Sequence, residues 1–340
     1  MLLLEERGGV SRLMVILGAV TGVLIGFSLA VLLTLIAGVS LAGALNALAY
    51  TYASGPAIAS ILALSGPIAC SAIGLTVAYR ARLITIASEG QVIAGAIAAL
   101  WLLAYSGLKM GPLEGFMAPL LLSGLLGATI GFLVALLKVK LHVNEILSSL
   151  MINYIILVVA NYIIGGPFRE GPFAITRSVP HEYRVSYIII PAVTGLITLL
   201  LWFLMSRTKL GLAVEAYGKA PRAAETYGYN PSRIIFSVAL ISGFTAGIGG
   251  ALMILGFQYS MSPMSVFPGY GYMGVLVAWL SANNPLAAFA ASLFISSIAV
   301  YGRLLQASGV PLGYVLGAQA LIVLSALTAV TLVKYRVRWL

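Results

Sequence analysis

The chain has 340 residues, 61% of them hydrophobic and 8% charged, with a mean hydropathy of +1.06 and a net charge of +10. A soluble domain carries roughly 25% charged residues, and a globule of this size must cover itself with polar surface, so the composition excludes a soluble fold and selects lipid as solvent. The cations are dispersed between apolar runs and build no basic face, which excludes nucleic acid as a partner; the lone Cys70 and the distant His142 and His181 offer no disulfide framework or metal cluster, so no catalytic residue, metal or cofactor is expected.

A helix needs about 20 apolar residues to cross a bilayer core about 30 Å thick. In chain order, residues 13–36, 56–78, 83–105, 117–138, 144–164, 187–206, 234–257, 270–282, 285–302 and 313–333 meet or approach that length. The first run is longer than a secretory h-region of roughly 7 to 15 residues and reads as an uncleaved span. The eighth and ninth are short and rich in Gly and Pro. Residues 38–52 are also apolar and read as a half-helix or as the lead into the second span. The expectation is an all-α polytopic membrane protein of about ten transmembrane helices, forming one domain over residues 1–340.

With the N-terminus in the cytoplasm, Arg7, Arg12, Arg80, Arg82, Lys138, Lys140, Arg207, Lys209, Lys219, Arg222, Arg233, Lys334, Arg336 and Arg338 all fall inside, which is 14 of the 19 Lys and Arg. The positive-inside rule therefore favours an even number of spans with both termini cytoplasmic. Residues 165–186 form an outside loop containing Pro167, Pro172 and Pro180. Residues 207–233 form a polar inside segment in which small residues alternate with charges, which suggests two short helices.

Four segments carry information. In the third span, Thr85-Ile86-Ala87-Ser88-Glu89-Gly90-Gln91 places Glu89 about seven residues deep; an intramembrane carboxylate marks function by default, with helix-to-helix locking as the structural alternative. Gly90 beside it is positioned to bend or break the helix, and a broken helix lines a cavity rather than lipid. Next, Val143-Asn144-Glu145-Ile146 leads to Ser148-Ser149, Asn153-Tyr154 and Asn161-Tyr162; Glu145, Ser149 and Asn153 share one stripe at four-residue intervals. Such a stripe faces a water-filled path or supplies interhelical hydrogen bonds. The inside segment from Glu215 to Asn230 has the compact side chains of an element that inserts into a partner's groove. Finally, Phe267-Pro268-Gly269-Tyr270-Gly271-Tyr272-Met273-Gly274, followed by Asn283-Asn284-Pro285-Leu286, puts glycines inside apolar sequence, the mark of a discontinuous span. Paired interruptions at Glu89-Gly90 and at 269–274 point to a midplane site between inverted repeats.

At these segments, over roughly residues 80–310, the chain resembles the permease subunits of ABC importers in the branched-chain amino acid, ribose and simple sugar superfamily, and within it the nucleoside permeases. Their Asn-Ile-Gly-x-Glu-Gly-Gln stretch is similar to residues 85–91, which depart from it at Thr85-Ile86-Ala87-Ser88. The resemblance implies a type II importer fold with inverted repeats. It also implies a second permease subunit, identical or paralogous, an ABC ATPase that holds ATP and Mg, and an extracytoplasmic solute-binding protein. This chain lacks G-x-x-x-x-G-K-[ST] and is not expected to be an enzyme. Glu89, Gln91, Asn144, Asn153, Phe267, Tyr270 and Tyr272 are the expected substrate-pathway residues, and Ala216, Gly218, Arg222, Ala223, Glu225, Gly228 and Tyr229 the ATPase-coupling residues. The implied cargo is a nucleoside, with simple sugars or branched-chain amino acids as alternatives. A different class, an ATP-independent secondary transporter, would use Glu89 as an ion or proton site.

Overall fold

The computed structural model describes residues 2–6, 12–36, 38, 40–172, 174–263, 265–266 and 269–339. Strand β1 (Leu2–Glu6) precedes α1 (Arg12–Ile36), α2 (Leu41–Ala53), α3 (Gly55–Arg80), α4 (Ser88–Leu100, continued by a π-helical turn Trp101–Tyr105), α5 (Pro112–Leu141) and α6 (Glu145–Gly165). Then follow α7 (Ile189–Arg207), α8 (Lys209–Lys219), α9 (Pro221–Thr226), α10 (Pro231–Met253, with a π-helical turn Ile254–Gln258), α11 (Tyr270–Leu280), α12 (Pro285–Ala307), α13 (Leu312–Lys334) and strand β2 (Tyr335–Trp339). Each predicted span has its helix, residues 38–52 are the separate helix α2, and the polar segment 207–233 holds the two short helices α8 and α9.

Among the described residues, eight helices are long and apolar enough to cross a membrane, the first being Gly55–Arg80 and the last Gly313–Val333. The chain is an integral membrane protein. Helix α11 is different: 11 residues rise only about 16 Å, roughly half a bilayer core.

The chain forms two compact units, Met1–Ile61 with Ser297–Leu340, and Leu62–Ser296. In the first, α1 lies along α13, with Gly22 against Ala329 and Gly26 against Ile322 and Ser325. Strand β1 pairs antiparallel with β2, Leu2 opposite Trp339 and Glu6 opposite Tyr335, an addition to the expected all-α fold outside the predicted spans.

In the second unit α10 is the central helix, packed on α5 and α4. Without a hydrophobic force between helices in lipid, close approach of small residues supplies the packing: Gly127 and Gly95 abut Gly247, and Ser123 Oγ donates to the Gly95 carbonyl at 2.6 Å. The most apolar stretch of α10 is 83% buried, against 22% for α6 and 28% for α7. Equal hydropathy thus hides different positions, an interior helix and two helices that face outward. The loop after α6 lies on the chain after α10, with Val179 N–H donating to the Tyr259 carbonyl at 2.8 Å and Thr176 N–H to that of Met261 at 3.0 Å.

Candidate functional site

Helix α3 ends at Arg80, and Arg82, at φ +57°, turns the chain back on itself. Residues 83–87 are non-helical, although their Leu-Ile-Thr-Ile-Ala sequence reads as span. Non-helical backbone at membrane depth persists only where its polar groups have partners, and here, at every residue but Ile84, they do. Leu83 N–H donates to the Ala78 carbonyl at 3.1 Å, Tyr79 Oη donates to the Thr85 carbonyl at 2.9 Å, and Ala87 N–H donates to Thr85 Oγ1 at 3.2 Å.

The polar stripe predicted on α6 supplies the rest. Ser149 Oγ accepts from Ile86 N–H at 3.0 Å; Asn153 Nδ2 donates to the Ile86 carbonyl at 2.8 Å, while its Oδ1 accepts from Gly90 N–H at 2.9 Å. Glu145 at the foot of the stripe pairs with Lys138, whose Nζ also donates to the Arg82 carbonyl at 3.2 Å. Asn161, two turns beyond the stripe, bonds only its own helix, at the Leu157 carbonyl.

Because these residues are non-helical, α4 begins at Ser88. Glu89 therefore stands in the first turn of a helix rather than seven residues into one, and Gly90 breaks nothing; the interruption is the connection before it. The second interruption has the same form. Gly269, at φ +77°, starts α11, and Gly271 and Gly274 lie inside that helix as contact points. A Cβ at Gly271 would overlap the backbone of Glu89, so only glycine lets the two helix starts cross there.

Glu89 is fully buried and caps α11 from outside the helix. Its Oε1 accepts from Gly269 N–H at 2.8 Å, and its Oε2 accepts from Gly271 N–H at 2.7 Å and Tyr272 N–H at 3.4 Å. These N–H groups are among the four that a helix start leaves unbonded, and the helix dipole favours an anion there. Ser88 Oγ adds a bond to the Gly271 carbonyl at 2.9 Å.

The expected pathway residues therefore separate. Glu89, Asn153 and Tyr272 meet at the start of α11, Asn153 Nδ2 donating to Tyr272 Oη at 3.3 Å. Tyr270 is buried, edge-on to Phe257 with ring centroids 6.1 Å apart. Gln91 is buried, and its Oε1 has no protein partner. Asn144 is exposed and outside this cluster: its Oδ1 caps α6, accepting from Ile146 N–H at 2.9 Å and Leu147 N–H at 3.3 Å. Phe267 lies outside the described residues.

The expected coupling residues form a helical hairpin. Arg222, Ala223, Glu225 and Gly228 are exposed, Ala216, Gly218 and Tyr229 are half-buried, and the neighbouring Tyr227, which the sequence did not single out, is 84% exposed. Lys219 hydrogen-bonds Glu215 at 2.7 Å and holds its carboxyl below the usual value. The end of α8 rests on the α3–α4 turn: Arg82 Nε donates to the Gly218 carbonyl at 2.7 Å, its Nη2 to that of Lys219 at 3.3 Å, and a Cβ at Gly218 would overlap the Arg80 carbonyl. Arg80 Nε donates to the Asn283 carbonyl at 2.8 Å, in the turn after α11. Sequence reasoning assigned Arg80 and Arg82 to topology alone; their contacts, more than 130 residues away in sequence, leave no local signal.

Apolar spans, a short helix capped by a buried carboxylate, and a charged helical hairpin resting on the turn after α3 make this a polytopic membrane protein of the kind that carries solutes. Comparison with known proteins gives the family: residues 57–333 match the branched-chain amino acid transport system / permease component, and the chain belongs to it. It is 28% identical over 313 residues to a guanosine ABC transporter permease protein of Bacillus subtilis, covering 86% of each chain. It is 27% identical to a glucose ABC transporter permease protein of Haloferax volcanii, over 82% of this chain and 78% of that one. With a nucleoside ABC transporter permease protein of Lactococcus lactis it shares 24% identity, over 76% and 75%. No solved structure matches the chain.

Proposed function

We propose that this chain is the membrane-spanning subunit of an ATP-driven importer for nucleosides. An ABC ATPase docks on α8 and α9, a second permease subunit completes the translocation path, and an extracytoplasmic receptor delivers solute. The observation that carries the reading is the exposed hairpin of α8 and α9, anchored by Gly218 and Lys219 to Arg82 in a chain of permease family. ATP and Mg belong to the partner ATPase. We place the hairpin and both termini inside; the pairing of β1 with β2 supports one side for both termini, since an even number of crossings returns a chain to its starting side.

Nucleosides are favoured as cargo because guanosine and nucleoside permeases recur among the relatives. A simple sugar is the second reading, favoured by the glucose permease at nearly the same identity. Tyr272, half-buried at the start of α11, is proposed to face the path; Glu89, Asn153 and Tyr270 shape it by fixing where α11 begins, and Gln91, buried with its Oε1 unpartnered, is proposed as a further pathway residue. A secondary transporter using Glu89 as an ion site is disfavoured, since both carboxylate oxygens are already bonded to backbone N–H groups.

The test is uptake of radiolabelled nucleosides into liposomes holding permease, ATPase and receptor, with and without ATP at the ATPase face. ATP-dependent nucleoside uptake is expected. ATP-dependent uptake of a sugar alone would replace the cargo and keep the mechanism. Uptake by the permease alone without ATP would overturn the reading.

A further inference from the structure

Residues 82–89 begin and end in charged side chains that each hold the terminus of another helix. At one end the Arg82 guanidinium donates to the Gly218 and Lys219 carbonyls, at the C-terminus of α8. At the other, the Glu89 carboxylate accepts from Gly269, Gly271 and Tyr272 N–H, at the N-terminus of α11. The signs are the favourable ones, a cation at the negative end of a helix dipole and an anion at the positive end. Between the grips, the bonds made by Tyr79, Ser149 and Asn153 stiffen the non-helical residues 83–87.

Helix α11 is also held by α3, the helix that leads directly into this stretch. Helix α3 runs beside it, with Ser71 against Gly274 and the Tyr79 and Trp279 rings 5.6 Å apart between centroids. Arg80 holds the turn after its C-terminus, and Glu89 holds its N-terminus. A displacement of α8 that moves Arg82 therefore has a bonded route to both ends of a half-span helix that carries Tyr272. We infer that residues 82–89 are the strut through which movement of the α8–α9 hairpin repositions α11, with Arg82 and Glu89 as positioning residues at its two ends. This rests on the docking of an ATPase at that hairpin.

The experiment uses the whole importer in liposomes, its permease carrying Cys70→Ala and Met273→Cys and labelled with a thiol-reactive fluorophore; Met273 is half-buried on α11 and makes none of the bonds above. In this parent, ATP is expected to change the fluorescence. Arg82→Ala is expected to abolish that change and cut uptake about tenfold or more, the size of a typical coupling factor, while the ATPase stays bound and hydrolyses ATP. Arg82→Lys, which keeps a cation but not the two-pronged geometry, is expected to restore part of both readouts; a merely structural role for Arg82 would leave the ATP-dependent fluorescence in place. Gly218→Ala, which wedges α8 off the Arg80 carbonyl with Arg82 intact, keeps the inference testable if Arg82→Ala does not assemble, and is expected to reduce uptake in the same way. Normal uptake and fluorescence change in the variant tested, or no effect of ATP on the parent's fluorescence despite ATP-driven uptake, would overturn the strut. A parent with neither bound ATPase nor ATP-driven uptake would instead overturn the importer reading, and the strut with it.

Discussion

Around Glu89 the polar side chains are buried and face one another and the backbone; along α8 and α9, Arg222, Glu225 and Tyr227 face outward. In sequence the two regions look alike, each a polar interlude in an apolar chain. The difference lies in what their polar groups satisfy. An unbonded N–H in lipid costs several kcal/mol, so Glu89, Ser149 and Asn153 are engaged by the chain's own non-helical backbone. The hairpin stands clear of that demand, and its Arg222 and Glu225 are exposed on the face proposed to meet a partner protein.

Breaking the buried side of this contrast should give the largest effect. Glu89→Ala would strand the Gly269, Gly271 and Tyr272 N–H groups at several kcal/mol each, enough to consume the margin of about 5–15 kcal/mol on which a folded domain rests. The expected outcome is little or no folded permease on detergent size-exclusion chromatography, and no uptake. Recovery of wild-type amounts of folded protein would mean that the carboxylate is not what holds α11.

Two asparagines nine and seventeen residues after Asn144 in one helix sharpen the comparison. Asn153→Leu removes the partners of the Ile86 carbonyl and Gly90 N–H, at about 1–3 kcal/mol for each orphaned group, and should lower the thermal midpoint by several degrees. Asn161→Leu removes only a bond within its own helix, worth about 0.6 kcal/mol in a membrane, and should leave the midpoint and uptake near wild type. Equal effects would dissolve the distinction between a latch and a surface amide.

On the exposed side, the Arg222→Ala, Tyr227→Ala double variant should change stability by no more than about 0.5 kcal/mol per site. It should nonetheless weaken retention of the ATPase on co-purification. Unchanged retention would remove these two residues from the docking surface.

How far the sequence carried these assignments depends on what each one needed. Span positions, the two short helices and the Glu145–Ser149–Asn153 stripe follow from hydropathy and helical period, which are local properties. The start of α4 does not, because Leu83, Ile84 and Ile86 are as apolar in a non-helical segment as in a helix, and hydropathy carries no record of backbone conformation. The partner of Glu89 was equally hidden: Gly271 lies 182 residues further on, and a glycine offers no side chain to suggest that its N–H is the bonded group. Arg82 was visible only as a positive charge near a membrane edge, although two of its bonds reach the end of α8.

Asn144 gives the smallest and most discriminating effect, because its two readings demand opposite chemistry. As an N-cap its short side chain accepts from Ile146 and Leu147 N–H, a role that Ser and Asp fill about as well and that the longer Gln does not. As a pathway residue it would present an amide to the solute, which Gln retains and Ser loses. Asn144→Ala should cost about 1 kcal/mol of stability; Asn144→Ser should restore it and Asn144→Gln should not, with uptake per folded permease unchanged in all three. If uptake instead follows the amide, kept by Gln and lost in Ser and Ala, then Asn144 touches the solute and the path extends to the foot of α6, well away from the cluster at Glu89.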